Sequence, residues 1–462
     1  MKILLIQPRM HKRPMDTDLK TCMSPPLGLL TLMGLTPPGH DVRLVNENAE
    51  KIPKHFAPDL VGITVTLDVF PRACEIAAAY RSRRIPVVAG GIHITCCPED
   101  CAPFFSAICV GPAERVWAKI IGDAARGCLQ PVYKDFENFA GEEIASPKYD
   151  AIDTAKYLMT NIVTTSRGCP CRCDFCYNSN ENRCHVRRPV EHVVADIRAL
   201  GARHIYFPDD NFIGDIAYTR QLLNALEPLK LKWRAAVTAN ILDHLDLLDR
   251  MAETGCQSLF IGFESVNPAA LAGVHKHQNR PERYAALAWE IHRRGIMINA
   301  SMVFGLDGDG PEVFANTLDW LVENKIETLT SHILTPYPGT RLYRDMHAAG
   351  RITDRDLSHY NTAHVVYQPG RISPEELHAG YLKMYRDFYS FRNIWRRRPE
   401  NPKQRFAYFA FNLFYRKFGR ATSAICRIIP MRAVGQAGEW LAARLSRAEV
   451  YTGKGDQAIT FN

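Results

Sequence analysis

Short runs of branched apolar residues alternate with stretches of helical periodicity along most of this chain, and that alternation limits the folds open to it. Lys2–Gln7, Asp41–Val45, Leu60–Val65 and Ile85–Ala89 read as strands. Helices are expected from Pro26 to Met33 and from Phe70 to Arg83, where Ala73, Ile76, Ala77 and Tyr80 fall on one face. Strands joined by helices pair in parallel, and the helices cover both faces of the sheet. In such a sheet ligands sit beyond the carboxyl ends of the strands. The residues there include Gln7, Thr64, Thr66, Gly90, Gly91, His93, Gly111 and Glu114. Gly90-Gly91 lets the backbone approach a bulky ligand closely, although a tight turn alone would also call for it. The two threonine hydroxyls can bond amides or a phosphate.

The alternation pauses at about residues 131–160, where Pro131, Gly141 and Pro147 mark turns. It then resumes with six strand-like runs: Asn161–Thr165, His204–Phe207, Leu231–Val237, Gln257–Phe263, Ile296–Phe304 and Glu327–Leu334. Helical stretches near Val190–Leu200, Tyr218–Leu229, Leu242–Thr254, Arg280–Arg294 and Glu312–Glu323 separate them. Six strands with intervening helices suit a partial (β/α)6 TIM-like barrel, whose site lies at the carboxyl ends of its strands. Further on, Ser373-Pro374-Glu375-Glu376 is a helix start with a capping box. The helix through Phe388 is expected across the barrel mouth. We place domains at 1–135, 161–345 and 346–395, with a linker at 136–160 and a tail at 396–462.

After the first strand of the second set comes Arg167-Gly168-Cys169-Pro170-Cys171-Arg172-Cys173-Asp174-Phe175-Cys176-Tyr177. Cys169, Cys173 and Cys176 stand in CxxxCxxC spacing, so three thiolates can converge on one face of a metal cluster. A cubane of four irons needs one ligand per iron, and three cysteines leave one iron open. A structural zinc would want four protein ligands, usually in two separated pairs. A zinc knob or plain reduced thiols are the competing readings. Cys171 lies outside the three-cysteine frame, and Cys96, Cys97 and Cys101 form a further cysteine group. The later strands end in Asp209-Asp210-Asn211, Thr238-Ala239-Asn240, Glu264-Ser265, Gly305-Leu306-Asp307-Gly308 and Pro336-Tyr337-Pro338-Gly339-Thr340. Asp and Gly commonly end strands without any function. Recurring after a three-cysteine loop, they mark a site where carboxylates can accept bonds from an ammonium or from ribose hydroxyls.

At 462 residues, with 46% hydrophobic and 23% charged residues, the chain suits a soluble protein of two or three domains. Fourteen cysteines spread over that length, behind an opening run too short for a signal peptide, imply a reducing cytoplasm. The net charge of +8 is uneven: Arg392–Asn462 holds 14 Lys+Arg against 4 Asp+Glu, leaving the body close to neutral. A neutral body argues against a broad nucleic-acid surface. The tail is aromatic as well as basic, from Phe406 to Phe418 above all. It suits either a peripheral membrane contact or a cover over an apolar face of the body.

The cysteine loop, with its aromatic Tyr177 after the third cysteine, resembles that of the radical S-adenosylmethionine (SAM) superfamily. Pro25-Pro26-Leu27-Gly28-Leu29-Leu30, Gly39-His40-Asp41-Val42, Gly90-Gly91-Ile92-His93-Ile94-Thr95 and Gly111-Pro112-Ala113-Glu114 resemble the subgroup that carries an amino-terminal cobalamin domain. The last of these departs from the subgroup's Gly-Glu-x-Glu. The resemblance implies a Rossmann-like (flavodoxin-like) cobalamin domain, a partial barrel and a helical C-terminal region. It implies a [4Fe–4S] cluster on Cys169, Cys173 and Cys176, with SAM on the open iron. Asp209, Asp210 and Asn211 would receive the SAM amino group, Glu264 the ribose, and Tyr177 the adenine. Cobalamin would contact Gln7, Thr64, Thr66, Gly90, Gly91, His93, Gly111 and Glu114. There is no Asp-x-His-x-x-Gly motif, so cobalt would have no lower histidine ligand, and His93 would be a loop or pocket residue. The implied reaction is methylation of an unactivated carbon or phosphorus of a small molecule by way of a 5′-deoxyadenosyl radical and methylcobalamin. A flavodoxin- or ferredoxin-type protein would donate the electron. The alternatives are a radical cyclase, oxidase or rearrangement enzyme, and a non-enzymatic metal or nucleic-acid-binding protein.

Overall fold

The computed structural model describes residues 1–13, 16, 21–180, 182 and 185–416. Strands β1 (Lys2–Gln7), β2 (Asp41–Asn46), β3 (Leu60–Thr64), β4 (Val87–Gly90), β5 (Ala107–Val110) and β6 (Val132–Lys134) form one sheet in the order β2-β1-β3-β4-β5-β6. Every pair in it is parallel. Ile3, Leu4, Leu5 and Ile6 are all fully buried, because helices cover the sheet on both sides and each face of β1 needs apolar side chains. Helix α1 (Leu27–Leu35) and helix α3 (Trp117–Ala125) pack with one face, and α2 (Phe70–Arg81) with the other. The chain leaves β1 in opposite directions to reach β2 and β3. The point between β1 and β3 is therefore the topological switch, where open α/β sheets bind ligands.

Single-turn helices at Gly141–Glu143, Tyr149–Ala151 and Thr154–Lys156 carry the chain to the second sheet. This stretch is anchored, since buried Arg188 donates to Ser146 Oγ (3.1 Å), to Asp196 Oδ2 (2.8 Å) and to the Thr164 carbonyl (3.0 Å). Helix α4 (Val190–Leu200) leads to β7 (His204–Phe207), α5 (Ile216–Leu226), β8 (Lys232–Val237), α6 (Leu245–Glu253) and β9 (Cys256–Glu264). Helix α7 (Tyr284–His292), β10 (Met297–Phe304), α8 (Val313–Glu323) and β11 (Thr328–Ile333) complete the unit, and helix α9 (Arg341–Ala348) follows it. The sheet order is β11-β10-β9-β8-β7, all parallel.

The expected first strand, Asn161–Thr165, is reduced to a bridge between Ile162 and Tyr206 at the β7 edge. The reason lies in the next hydrogen bonds. The amides of Thr165 and Ser166 turn away from β7's backbone to the carboxylate of Asp209. A sixth strand position is kept, but its ladder ends early.

Helix α10 (Pro374–Phe388) starts with the expected capping box, in which Ser373 Oγ accepts from the Glu376 amide and Glu376 accepts from the Ser373 amide. It lies along the free edge of β11. The Ser331 amide donates to Tyr385 Oη (3.0 Å) and the Leu329 amide to Tyr389 Oη (3.2 Å). Four helical residues rise ~6.0 Å and two strand residues ~6.7 Å, so tyrosines four apart can meet alternate strand residues. The exposed edge is thereby paired.

Helices α11 (Phe391–Arg396) and α12 (Pro402–Arg416) follow. Tyr408 is buried and donates to the Ile394 carbonyl (2.6 Å), so α12 lays one face on the body and leaves Phe406 59% exposed. The cover reading thus holds for this part of the tail. Residues 417–462, with the rest of its basic charge, lie outside the described residues. No described helix is long and apolar enough to cross a membrane.

Candidate functional site

The cysteine loop is held at its entry by the end of β7. Asp209 Oδ1 accepts from the Thr165 amide (2.9 Å), the Ser166 amide and Ser166 Oγ (3.0 Å), and Asp210 Oδ2 accepts from the Gly168 amide (3.1 Å). Burial pushes the Asp209 carboxyl up to about 6, against the pull of those donors. Two residues expected to face SAM therefore also fix the chain that presents the cysteines. Asp209 Oδ2 and Asn211 Oδ1 are buried with no partner among the described residues, which suits donation by a bound ammonium. The loop's exit is fixed by an antiparallel pairing of Ser166–Arg167 with Val186–Arg187.

Cys169, Cys173 and Cys176 sense one another electrostatically, and burial raises the pKa of Cys173 and Cys176. Cys173 Sγ also accepts from Gln278 Nε2 (3.6 Å). Cys171 lies against Cys169, whose thiol donates to it. Among the described residues no three His, Cys, Asp or Glu side chains converge as the ligands of a single ion would. A cubane instead spreads its thiolates over separate irons, so the donor set suits a cluster. Cys96, Cys97 and Cys101 are all buried, and burial pushes the Cys97 thiol up to about 12.

Glu264 ends β9 in the left-handed region (φ 64°), where the register to β10 shifts. Its carboxylate is engaged by the ammonium of Lys276 in a buried ion pair. Lys276 Nζ also stands 5.7 Å from the centre of the Phe175 ring, inside the cysteine loop. Tyr177 stacks on Tyr337 (4.6 Å between centroids, 23° between planes), and its buried hydroxyl has no partner among the described residues.

The carboxyl ends of the first sheet face this loop. Gln7 and Thr64 lie on either side of the switch between β1 and β3 and are half-buried, while exposed Thr66 donates to Asp68 (2.7 Å). Burial raises the pKa of the Tyr177 and Tyr337 phenols, and nearby Asp68 adds to the effect on both. The Thr95 carbonyl accepts from Asn182 Nδ2 (3.1 Å), just past the cysteine loop. Gly91 (φ 109°) is dictated from within, since a Cβ there would stand 2.7 Å from the Val65 amide. At Gly111 a Cβ would meet the Phe136 ring at 2.4 Å. His93 is buried edge-on against Phe70, and burial lowers its pKa to about 4, so the ring is neutral. Glu114 meets Arg167 Nη1 at 2.6 Å.

Residues 163–321 match the family model described as the Radical SAM superfamily. That match spans the cysteine loop and the strands from β7 to β10. It is 28% identical over 431 residues to a bacteriochlorophyllide d C-12(1)-methyltransferase of Chlorobaculum tepidum, spanning 90% of this chain and 94% of that one. A bacteriochlorophyllide d C-8(2)-methyltransferase of the same organism is 28% identical over 413 residues, with 84% and 90% covered. The hopanoid C-2 methylase of Rhodopseudomonas palustris is 28% identical over 370 residues, with 75% and 68% covered. A solved structure of TsrM from Kitasatospora setae, a radical SAM methyltransferase with cobalamin and a [4Fe–4S] cluster bound, shares the fold at a TM-score of 0.55 and 18% identity. The likeness spans 84% of this chain and 85% of that one. The expected fold class, a parallel α/β domain before a partial barrel, is therefore borne out.

Sequence reasoning missed Lys276, Arg167 and Arg13. Arg13 follows β1 and donates to Asp16 (3.0 Å) and to Thr362 Oγ1 (3.0 Å) on the far side of the barrel. Lys276 had a legible signal, a basic stretch His275-Lys276-His277 soon after the strand-end carboxylate. Arg13 had none, because its partner Thr362 is more than three hundred residues away.

Proposed function

We propose that this chain is a cobalamin-dependent radical SAM methyltransferase acting on an unactivated carbon, or phosphorus, of a small apolar molecule. The observation that carries this reading is the meeting of two strand-end faces, with the cysteine loop of one domain set against the ligand edge of the other. Cys169, Cys173 and Cys176 would hold a [4Fe–4S] cluster. Asp209, Asp210 and Asn211 would receive the SAM ammonium, and Tyr177 would border the adenine. Glu264 would reach the ribose from its pair with Lys276. The corrinoid edge would run past Gln7, Thr64, Thr66 and the turns at Gly90, Gly91 and Gly111, with His93 supporting the turn from inside the core. When bound, the cluster supplies the electron that cleaves SAM, and cobalamin supplies the methyl group.

The chain's own residues then do positioning work. The Asp209 and Asp210 bonds hold the loop so that the reacting groups need no reorganisation on binding. The stacked Tyr177–Tyr337 pair closes the junction against water. Relatives named as methyltransferases of bacteriochlorophyllide d and of a hopanoid make a polycyclic apolar acceptor the first class to test. A flavodoxin- or ferredoxin-type protein would supply electrons in the cytoplasm, and the basic tail would allow a peripheral membrane contact. The test is anaerobic purification with cobalamin, followed by assay of iron, corrinoid and SAM cleavage. Iron and corrinoid on the same chain with release of 5′-deoxyadenosine support the reading. A chain that binds neither cofactor refutes it.

A further inference from the structure

Glu114 is buried, with its side chain 7% exposed, at the turn after β5, and the cation that meets it comes from the other domain. The 2.6 Å approach to Arg167 is ionic rather than a well-aligned hydrogen bond. Each partner is fixed by its neighbours. On the barrel side, Ser166 is bound to Asp209 and Gly168 to Asp210, so the backbone of Arg167 is pinned before and after it. On the other side, the adjacent Arg115 is tied to Glu143 (2.7 Å), to Asp135 (3.2 Å) and to the Glu137 carbonyl (2.9 Å). The Gly111 amide also donates to Thr95 Oγ1 (3.1 Å).

We propose that the Arg167–Glu114 ion pair is a strut that sets the spacing between the cysteine loop and the ligand edge of the amino-terminal sheet, making both side chains positioning residues. A buried carboxylate left without its cation is strongly unfavourable, so the two domains are held at the one separation that keeps the pair closed. Arg167 stands two residues before Cys169, so a displacement of the strut is passed directly to the loop. Glu114, expected from sequence to touch a corrinoid, is instead committed to the barrel.

The consequence for turnover rests on the proposed methyl transfer, but the strut itself does not. The test uses full-length Glu114→Gln and Arg167→Gln proteins beside the parent, each reconstituted with iron, sulfide and cobalamin. Two quantities are read: backbone hydrogen exchange in 107–116 and 166–180, and the ratio of S-adenosylhomocysteine to 5′-deoxyadenosine from SAM. Glu114→Gln is expected to keep its iron and the slow exchange of β9 and β10. Exchange in both junction segments should rise, and the product ratio should fall roughly tenfold, as displacements of an ångström cost up to ~100-fold. Unchanged junction exchange in Glu114→Gln overturns the strut, as does loss of its iron, which would make the pair part of cluster retention alone. If the parent yields no S-adenosylhomocysteine, methyl transfer fails while the exchange data still decide the strut.

Discussion

Asp209→Ala tests how the cysteine loop is held. The substitution strands the buried amides of Thr165 and Ser166 and the Ser166 hydroxyl, all of which donate to Asp209 Oδ1. Two orphaned buried amides cost about 2–6 kcal/mol. Against this, removing the carboxylate relieves a desolvation that lifts its pKa from 3.8 to about 6, worth about 3 kcal/mol at neutral pH. The net loss of global stability is therefore small, at most about 3 kcal/mol. The local effect is large, because the entry to Cys169 loses its tether. Anaerobically reconstituted Asp209→Ala should bind well under half the parent's iron and sulfide while its thermal unfolding moves only a few degrees. Asp209→Asn keeps an accepting oxygen and drops the charge, so it should retain iron with equal or greater stability. An Asp209→Ala protein with full iron would refute this account of the loop.

Further expectations follow from the same geometry. Cys169→Ala, Cys173→Ala and Cys176→Ala should each abolish 5′-deoxyadenosine formation, whereas Cys171→Ala should keep iron and SAM cleavage, as iron analysis and chromatography would show. Asp309 accepts from the Gly305 and Leu306 amides, yet burial pushes its carboxyl up to about 6. The folded chain then binds this proton more tightly than the unfolded chain. The stabilisation is complete below the ordinary value of 3.8 and is lost as pH rises through about 6. Melting curves of Asp309→Asn across that window should lack this part of the slope. Arg397 is buried 3.4 Å over the Phe388 ring and donates to the carbonyls of Ile326, Glu327 and Phe388. Arg397→Met should lose about 3 kcal/mol in urea unfolding. The full chain should float with anionic but not neutral vesicles at low salt if the tail contacts membranes.

Periodicity made both sheets legible, because parallel strands buried on two faces must be apolar throughout. His204–Phe207 and the capped helix beginning at Pro374 have the expected positions. The shortened first barrel strand was hidden, because the competitor for its amides is a carboxylate over forty residues away. Sequence spacing also located the three cysteines and the carboxylates at the strand ends. It could not show that Glu264 is already paired with Lys276, a contact closed by the fold of the barrel itself, or that Glu114 reaches Arg167, a pairing that exists only after the domains meet. His93 was legible as a turn neighbour, while its neutral state follows from burial against Phe70.

Methyl transfer at a junction of two cofactor domains would divide SAM between two products, and that partition is the decisive measurement. The reconstituted chain would be given methyl-deuterated SAM, a low-potential reductant and a polycyclic acceptor. The account predicts equal amounts of 5′-deoxyadenosine and S-adenosylhomocysteine, with the deuterated methyl group in the product. Release of 5′-deoxyadenosine with a modified acceptor but no S-adenosylhomocysteine and no label would contradict it.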